Sequence, residues 1–118
     1  MNAPIMPLGP IPTDSAIGND HIAAAIGAAF MGYLGCAHII NAISPSEHLN
    51  SKFTLQDLQQ AIVAAKIAAN TVNLCCATNE QETNNDIYNT RAKKRSCLTK
   101  SDTNCDRCDI LCPLRMKI

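Results

Sequence analysis

Tryptophan is absent from this chain, and its 118 residues include only two phenylalanines and two tyrosines. Apolar residues make up 47%, but much of that share is alanine. A core of alanine and isoleucine buries little area per residue, so a freestanding fold of this size is marginal and the chain is expected to lean on another surface. An excess of charge is also lacking, since ten basic and ten acidic side chains balance to zero. No global field steers the chain toward nucleic acid or an acidic membrane. The one basic run, Arg91-Ala-Lys-Lys-Arg95, has no interleaved aromatics on which bases would stack, and reads as a solvated helix end. No basic segment leads into an apolar stretch at the start, so no secretory signal is expected. Seven cysteines, an odd number, fit a reducing compartment better than a disulfide framework, and cytoplasm is the expected location.

Other absences narrow the chemistry. Gly27, Gly32 and Gly35 lack the spacing of a phosphate-binding loop, and Ser15, Asp20 and His21 have no nucleophile elbow around them. No internal repeat is visible. Formal charge is missing from Ile22 to Ser46, a stretch of 25 residues and long enough to span a bilayer. Its alanines and glycines, with His38, Asn41 and Pro45, suit lipid poorly, so no membrane span is expected.

The start of the chain, with Pro4, Pro7, Pro10 and Pro12, reads as extended or turning. A helix is expected from about Asp20, which would cap it, to about Leu34, with Gly35 as its stop. Ile39, Ile40 and Ile43 make Cys36 to Ile43 a candidate buried strand ending at Ser44-Pro45. Thr54-x-x-Asp57 has the form of a capping box. The helix after it carries Leu55, Leu58, Ile62, Ala65, Ala69 and Val72 along one face. Phe30, Tyr33, Cys36, Cys75 and Cys76 read as buried, and His38 as a satisfied core or interface histidine. Beyond Ala77 the composition turns to Asn, Thr, Glu and Gln, which marks a linker or weakly ordered arm with a short helix from Asp86 to Arg95. The expected organisation is therefore a segment 1–77 of loop, helix, strand and helix, followed by an arm 78–118.

That arm ends in Cys105, Cys108 and Cys112, spaced Cys-x2-Cys-x3-Cys and followed by Pro113. A structural zinc takes four protein ligands, whereas a [4Fe-4S] cluster held by three thiolates keeps one iron open for a small molecule. Cys97 could complete a zinc knuckle. Spacing alone leaves zinc, cluster and no metal open.

Seven patches in one order carry a resemblance. Leu8-Gly-Pro-Ile-Pro-Thr-Asp14, Asp20-His21-Ile22, Ile26-Gly-Ala-Ala29, Gly35-Cys-Ala37, Ser44-Pro-Ser-Glu-His-Leu49, Lys66-Ile-Ala-Ala69 and the terminal cysteines resemble the closing third of the phosphomethylpyrimidine synthase family. Relatives that make the hydroxybenzimidazole base of cobamides are also similar. The resemblance implies the last units of a parallel β/α barrel, incomplete here, plus a C-terminal iron-sulfur cluster arm. It implies a carbon-carbon lyase of thiamin biosynthesis that converts 5-aminoimidazole ribotide to 4-amino-5-hydroxymethyl-2-methylpyrimidine phosphate. Cys105, Cys108 and Cys112 would ligate a [4Fe-4S] cluster that cleaves S-adenosylmethionine to a radical. His48, in Pro45-Ser-Glu-His48-Leu, would be one of two ligands to a separate divalent metal, zinc or iron, its partner lying upstream of this chain. Without the resemblance His48 reads as an ordinary surface histidine beside Glu47.

The chain also departs from the pattern. Met6 stands where the family has a substrate-binding tyrosine, Asn41 where it has a cysteine, and Ile17-Gly-Asn-Asp-His21 where it reads Pro-Gly-Tyr-Asp-His. Three residues, not four, separate Cys108 from Cys112. Family enzymes are dimers in which one protomer's cluster arm completes the other's site. The expected partners are therefore the missing barrel portion, a full-length homologue or a second copy, with a small-molecule substrate. The alternatives are a truncated or degenerate relative without catalysis and a small zinc-binding module.

Overall fold

The computed structural model describes residues 3–49, 52–76 and 78–94. The chain divides into two compact units, Met1–Cys76 and Ala77–Ile118. In the first, a proline-rich lead-in reaches a single 3-10 turn, Asp14–Ala16, and then helices α1, Asp20–Tyr33, and α2, Leu55–Cys76. In the second, α3 spans Thr78–Lys94.

Local chemistry explains the helix ends. α1 stops because Gly35 adopts φ +70°, a left-handed conformation that costs glycine no Cβ clash. Its N–H donates to the Gly32 carbonyl at 3.0 Å and that of Cys36 to Met31 at 2.8 Å, the paired bonds of a Schellman close. α2 starts on a reciprocal capping box: the Asp57 N–H donates to Thr54 Oγ1 at 3.1 Å, and the Thr54 N–H to Asp57 Oδ2 at 2.9 Å.

α1 and α2 pack against each other along small side chains. Ala23, Ala24 and Ala28 on α1 and Ala61 and Ala68 on α2 are buried, and with Ile43 they form the apolar core. The large apolar residues point elsewhere. Phe30 and Tyr33, expected to be buried, are about two-thirds exposed, and Leu55, Leu58 and Ile62 are exposed too. Cys36, Cys75 and Cys76, expected to be buried, are exposed. Alanine wins the interface because two helix backbones approach closely only where side chains are short; Val72, for example, sits directly over Gly32.

The expected incomplete parallel β/α barrel is contradicted: the described residues contain helices and no strand. Cys36–Ile43 is irregular and largely exposed until Ile43. The His38 and Ile39 N–H groups donate to the Ile5 carbonyl at 2.8 and 3.3 Å, and the Asn41 amide to the Pro7 carbonyl at 3.3 Å. Those contacts lie where a strand ladder would run. The opposing segment has fewer donors to return them, because Pro4 and Pro7 have no N–H and that of Ile5 is engaged by His38 Nδ1 at 3.1 Å. His38 is thus satisfied, though exposed and not in a core.

α3 is a 17-residue helix where only Asp86 to Arg95 was expected to be helical, and its sequence is polar all round. No described helix is long and apolar enough to cross a membrane. The terminal cysteine arm lies outside the described residues.

Candidate functional site

Asp20 is the first residue of α1 and only 1% exposed, the most deeply buried ionisable group among the described residues. A buried carboxylate demands partners, and both oxygens have one. The His48 ring places Nδ1 3.0 Å from Oδ1, and the His48 backbone N–H donates to Oδ2 at 3.1 Å. Asp20 is therefore not a helix cap. The N-cap is Asn19, whose side chain makes no capping bond. His21 does not cap either; its Nδ1 is buried with no hydrogen-bond partner.

His48 is delivered by a compact turn. Ile43, Ser44 and Pro45 are buried and anchor its base. The Glu47 N–H then donates to the Ser44 carbonyl at 3.3 Å and that of Leu49 to Ser46 at 3.0 Å. The His48 side chain is 55% exposed, so one ring edge meets Asp20 and the rest faces solvent. A cavity of about 120 Å³ opens beside the pair, lined by Ile11, Thr13, Asp14, Ile17, Asp20 and His48.

The two groups hold each other's charge. Burial pushes the Asp20 carboxyl up, but hydrogen bonds from the His48 ring and backbone, the His48 charge and a backbone bond at Gly18 together hold it below its ordinary value. The His48 imidazole is raised, first by its hydrogen bond to Asp20 and then by the Asp20 charge; burial opposes the rise, and the Glu47 and Asp14 charges add to it more weakly.

Among the described residues no three His, Cys, Asp or Glu side chains gather closely enough to hold a metal ion. His48 could serve as a single ligand, since Asp20 engages one ring nitrogen and the side chain is more than half exposed. Cys105, Cys108, Cys112 and Cys97 lie outside the described residues. Of the departures from the family pattern, Ile17 lines the cavity beside the pair, Met6 is more than half exposed, and Asn41 ties its segment to Pro7. Asp20, placed by its sequence at the start of a helix, is the partner that the structure brings to His48. Its signal in the sequence is the Asp-His pair of the Ile17-Gly-Asn-Asp-His21 loop.

Comparison with known proteins bears on this geometry. Residues 1–105 match the radical SAM ThiC family. The phosphomethylpyrimidine synthase of Archaeoglobus fulgidus is 52% identical over 73 residues, which is 62% of this chain and 17% of that protein. Its namesake in Methanocaldococcus jannaschii is 52% identical over 68 residues, 58% of this chain and 16% of the relative. That of Carboxydothermus hydrogenoformans is 43% identical over 79 residues, 67% of this chain and 18% of the relative. The chain thus spans about one-sixth of the length of these relatives. With 105 of its 118 residues matched, including the whole Asp20–His48 site, the chain belongs to the radical SAM ThiC family.

Proposed function

We propose that this chain supplies part of a phosphomethylpyrimidine synthase, a lyase that converts 5-aminoimidazole ribotide to 4-amino-5-hydroxymethyl-2-methylpyrimidine phosphate for thiamin. The family match over residues 1–105 carries the reading, and the names of the relatives support it. In this reading Cys105, Cys108 and Cys112 are three thiolates able to hold a [4Fe-4S] cluster. When bound, the cluster supplies one-electron cleavage of S-adenosylmethionine. His48 is one ligand of a separate divalent metal, zinc or iron, whose other ligands come from outside the described residues.

The remaining five-sixths of the family's length, in the same polypeptide or another, is the partner. It would cover the face of α1 formed by Ile22, Ile26 and Phe30, which are 50%, 61% and 66% exposed. Three large apolar side chains at four-residue spacing in solvent are what an unfinished interface presents. A second reading, a relative without catalysis, is favoured by Met6 standing in place of a tyrosine phenol.

The discriminating experiment is anaerobic iron and sulfide reconstitution of the chain, followed by low-temperature electron paramagnetic resonance of the reduced form. A reduced-cluster signal that shifts when S-adenosylmethionine is added is the expected result. No cluster, or tight zinc in its place, would overturn the proposal in favour of a non-catalytic relative or a zinc module.

A further inference from the structure

We infer that Asp20 is a positioning residue for His48: it fixes the imidazole as the Nδ1–H form and so makes Nε2 the nitrogen offered to a metal. The inference rests on the proposed metal-ligand reading of His48. Its structural basis is the two-point grip of one carboxylate on one residue.

An ionised carboxylate can only accept hydrogen bonds. At 3.0 Å from Asp20 Oδ1, the His48 Nδ1 must therefore carry the proton. A neutral imidazole has one such proton, so the lone pair falls on Nε2. The second bond, from the His48 backbone N–H to Oδ2 at 3.1 Å, fixes the base of the side chain while the first fixes its tip. With both ends held, rotation of the ring is restricted.

The clamp itself is rigid. Asp20 lies in the first turn of α1, is 1% exposed and has both oxygens engaged on His48. The imidazole is open to solvent over more than half of its side chain, so an incoming ion can approach its free edge. A carboxylate behind a histidine in this way raises the basicity of the ligating nitrogen and sets its direction, and removing it commonly weakens metal binding 10- to 100-fold, roughly. The Asp20→Asn variant isolates the effect. Its amide keeps the shape, but one of the two carboxylate oxygens becomes an NH2 group, so one of the two N–H contacts loses its acceptor.

Long-range ¹⁵N–¹H correlation spectra of the full chain, taken where the ring is neutral, read the tautomer directly. The expected result is a protonated Nδ1 and a bare Nε2 in the native chain, with a shift toward the Nε2–H form in Asp20→Asn. A native ring that is Nε2–H, or a mixture identical in both proteins, overturns the inference. Stepwise addition of Co(II), followed through the His48 ring signals, supplies the second readout. Half-saturation is expected to rise about 10- to 100-fold in Asp20→Asn, and equal affinity in the two proteins overturns the positioning role. A fixed Nδ1–H ring that ignores Co(II) supports the clamp and overturns the metal-ligand reading instead.

Discussion

Asp20 and His48 stabilise opposite charges at one contact, and the pH dependence of that contact follows from the direction of each shift. The His48 value is raised, so its share of stability is fully present below the ordinary 6.5 and is lost as pH rises through the raised value. The Asp20 value is lowered, so its share is present above the ordinary 3.8 and is lost as pH falls through the lowered value. The pair therefore contributes fully between those two ordinary values. The urea midpoint of the native chain is expected to decline as pH rises above that window, and the decline should flatten in Asp20→Asn; parallel profiles for the two proteins would refute the contact's role. His48 was legible in the sequence because Pro45-Ser-Glu-His48-Leu is a contiguous pattern. Asp20 was legible only as an acid at a helix start, and its partner lies 28 residues away, beyond the reach of any local rule.

Among the elements, those decided by neighbours in sequence were readable and those decided by distant partners were not. The Thr54–Asp57 box and the Gly35 stop are each closed within a few residues, and the structure has both. The strand expected at Cys36–Ile43 needed a ladder, and the segment beside it is interrupted by prolines. Helix faces misled for a related reason: large apolar residues mark the buried face when side chains fill the space between helices, but here the alanine face is the buried one. The same closeness governs α1 against the lead-in. A Cβ added to Gly27 would overlap the Pro10 carbonyl oxygen, which is backbone and cannot step aside cheaply. Gly27→Ala is expected to lower the free energy of unfolding by about 3 kcal/mol, the upper end of ordinary overpacking costs. Equilibrium urea unfolding would measure this, and a loss under about 0.5 kcal/mol would show that the lead-in does not press on α1 as described.

For the molecule as a whole, a scarcity of aromatics points to a thin core, and the buried apolar core of the first unit is mostly alanine while Ile22, Ile26 and Phe30 face solvent. The family was legible because seven patches keep one order, and its match covers residues 1–105. The architecture was not, because the barrel expected from that resemblance is absent from the described residues. An uncovered apolar face has a measurable consequence in solution. The sedimentation coefficient of the native chain should increase with concentration, while Phe30→Glu should abolish that increase and leave the free energy of urea unfolding unchanged within about 0.5 kcal/mol. A midpoint that collapses would place Phe30 inside the fold. The Asp20–His48 contact also acts at this scale, as the clasp of a ring without a covalent bond. The ring contains all of α1, and a rigid rod contributes little slack to it. Most of the closure entropy comes instead from the irregular stretch after Gly35. That entropy grows only slowly with length, by about 0.6 kcal/mol for each doubling, so residues added within that stretch would lengthen the strap and leave the clasp fastened.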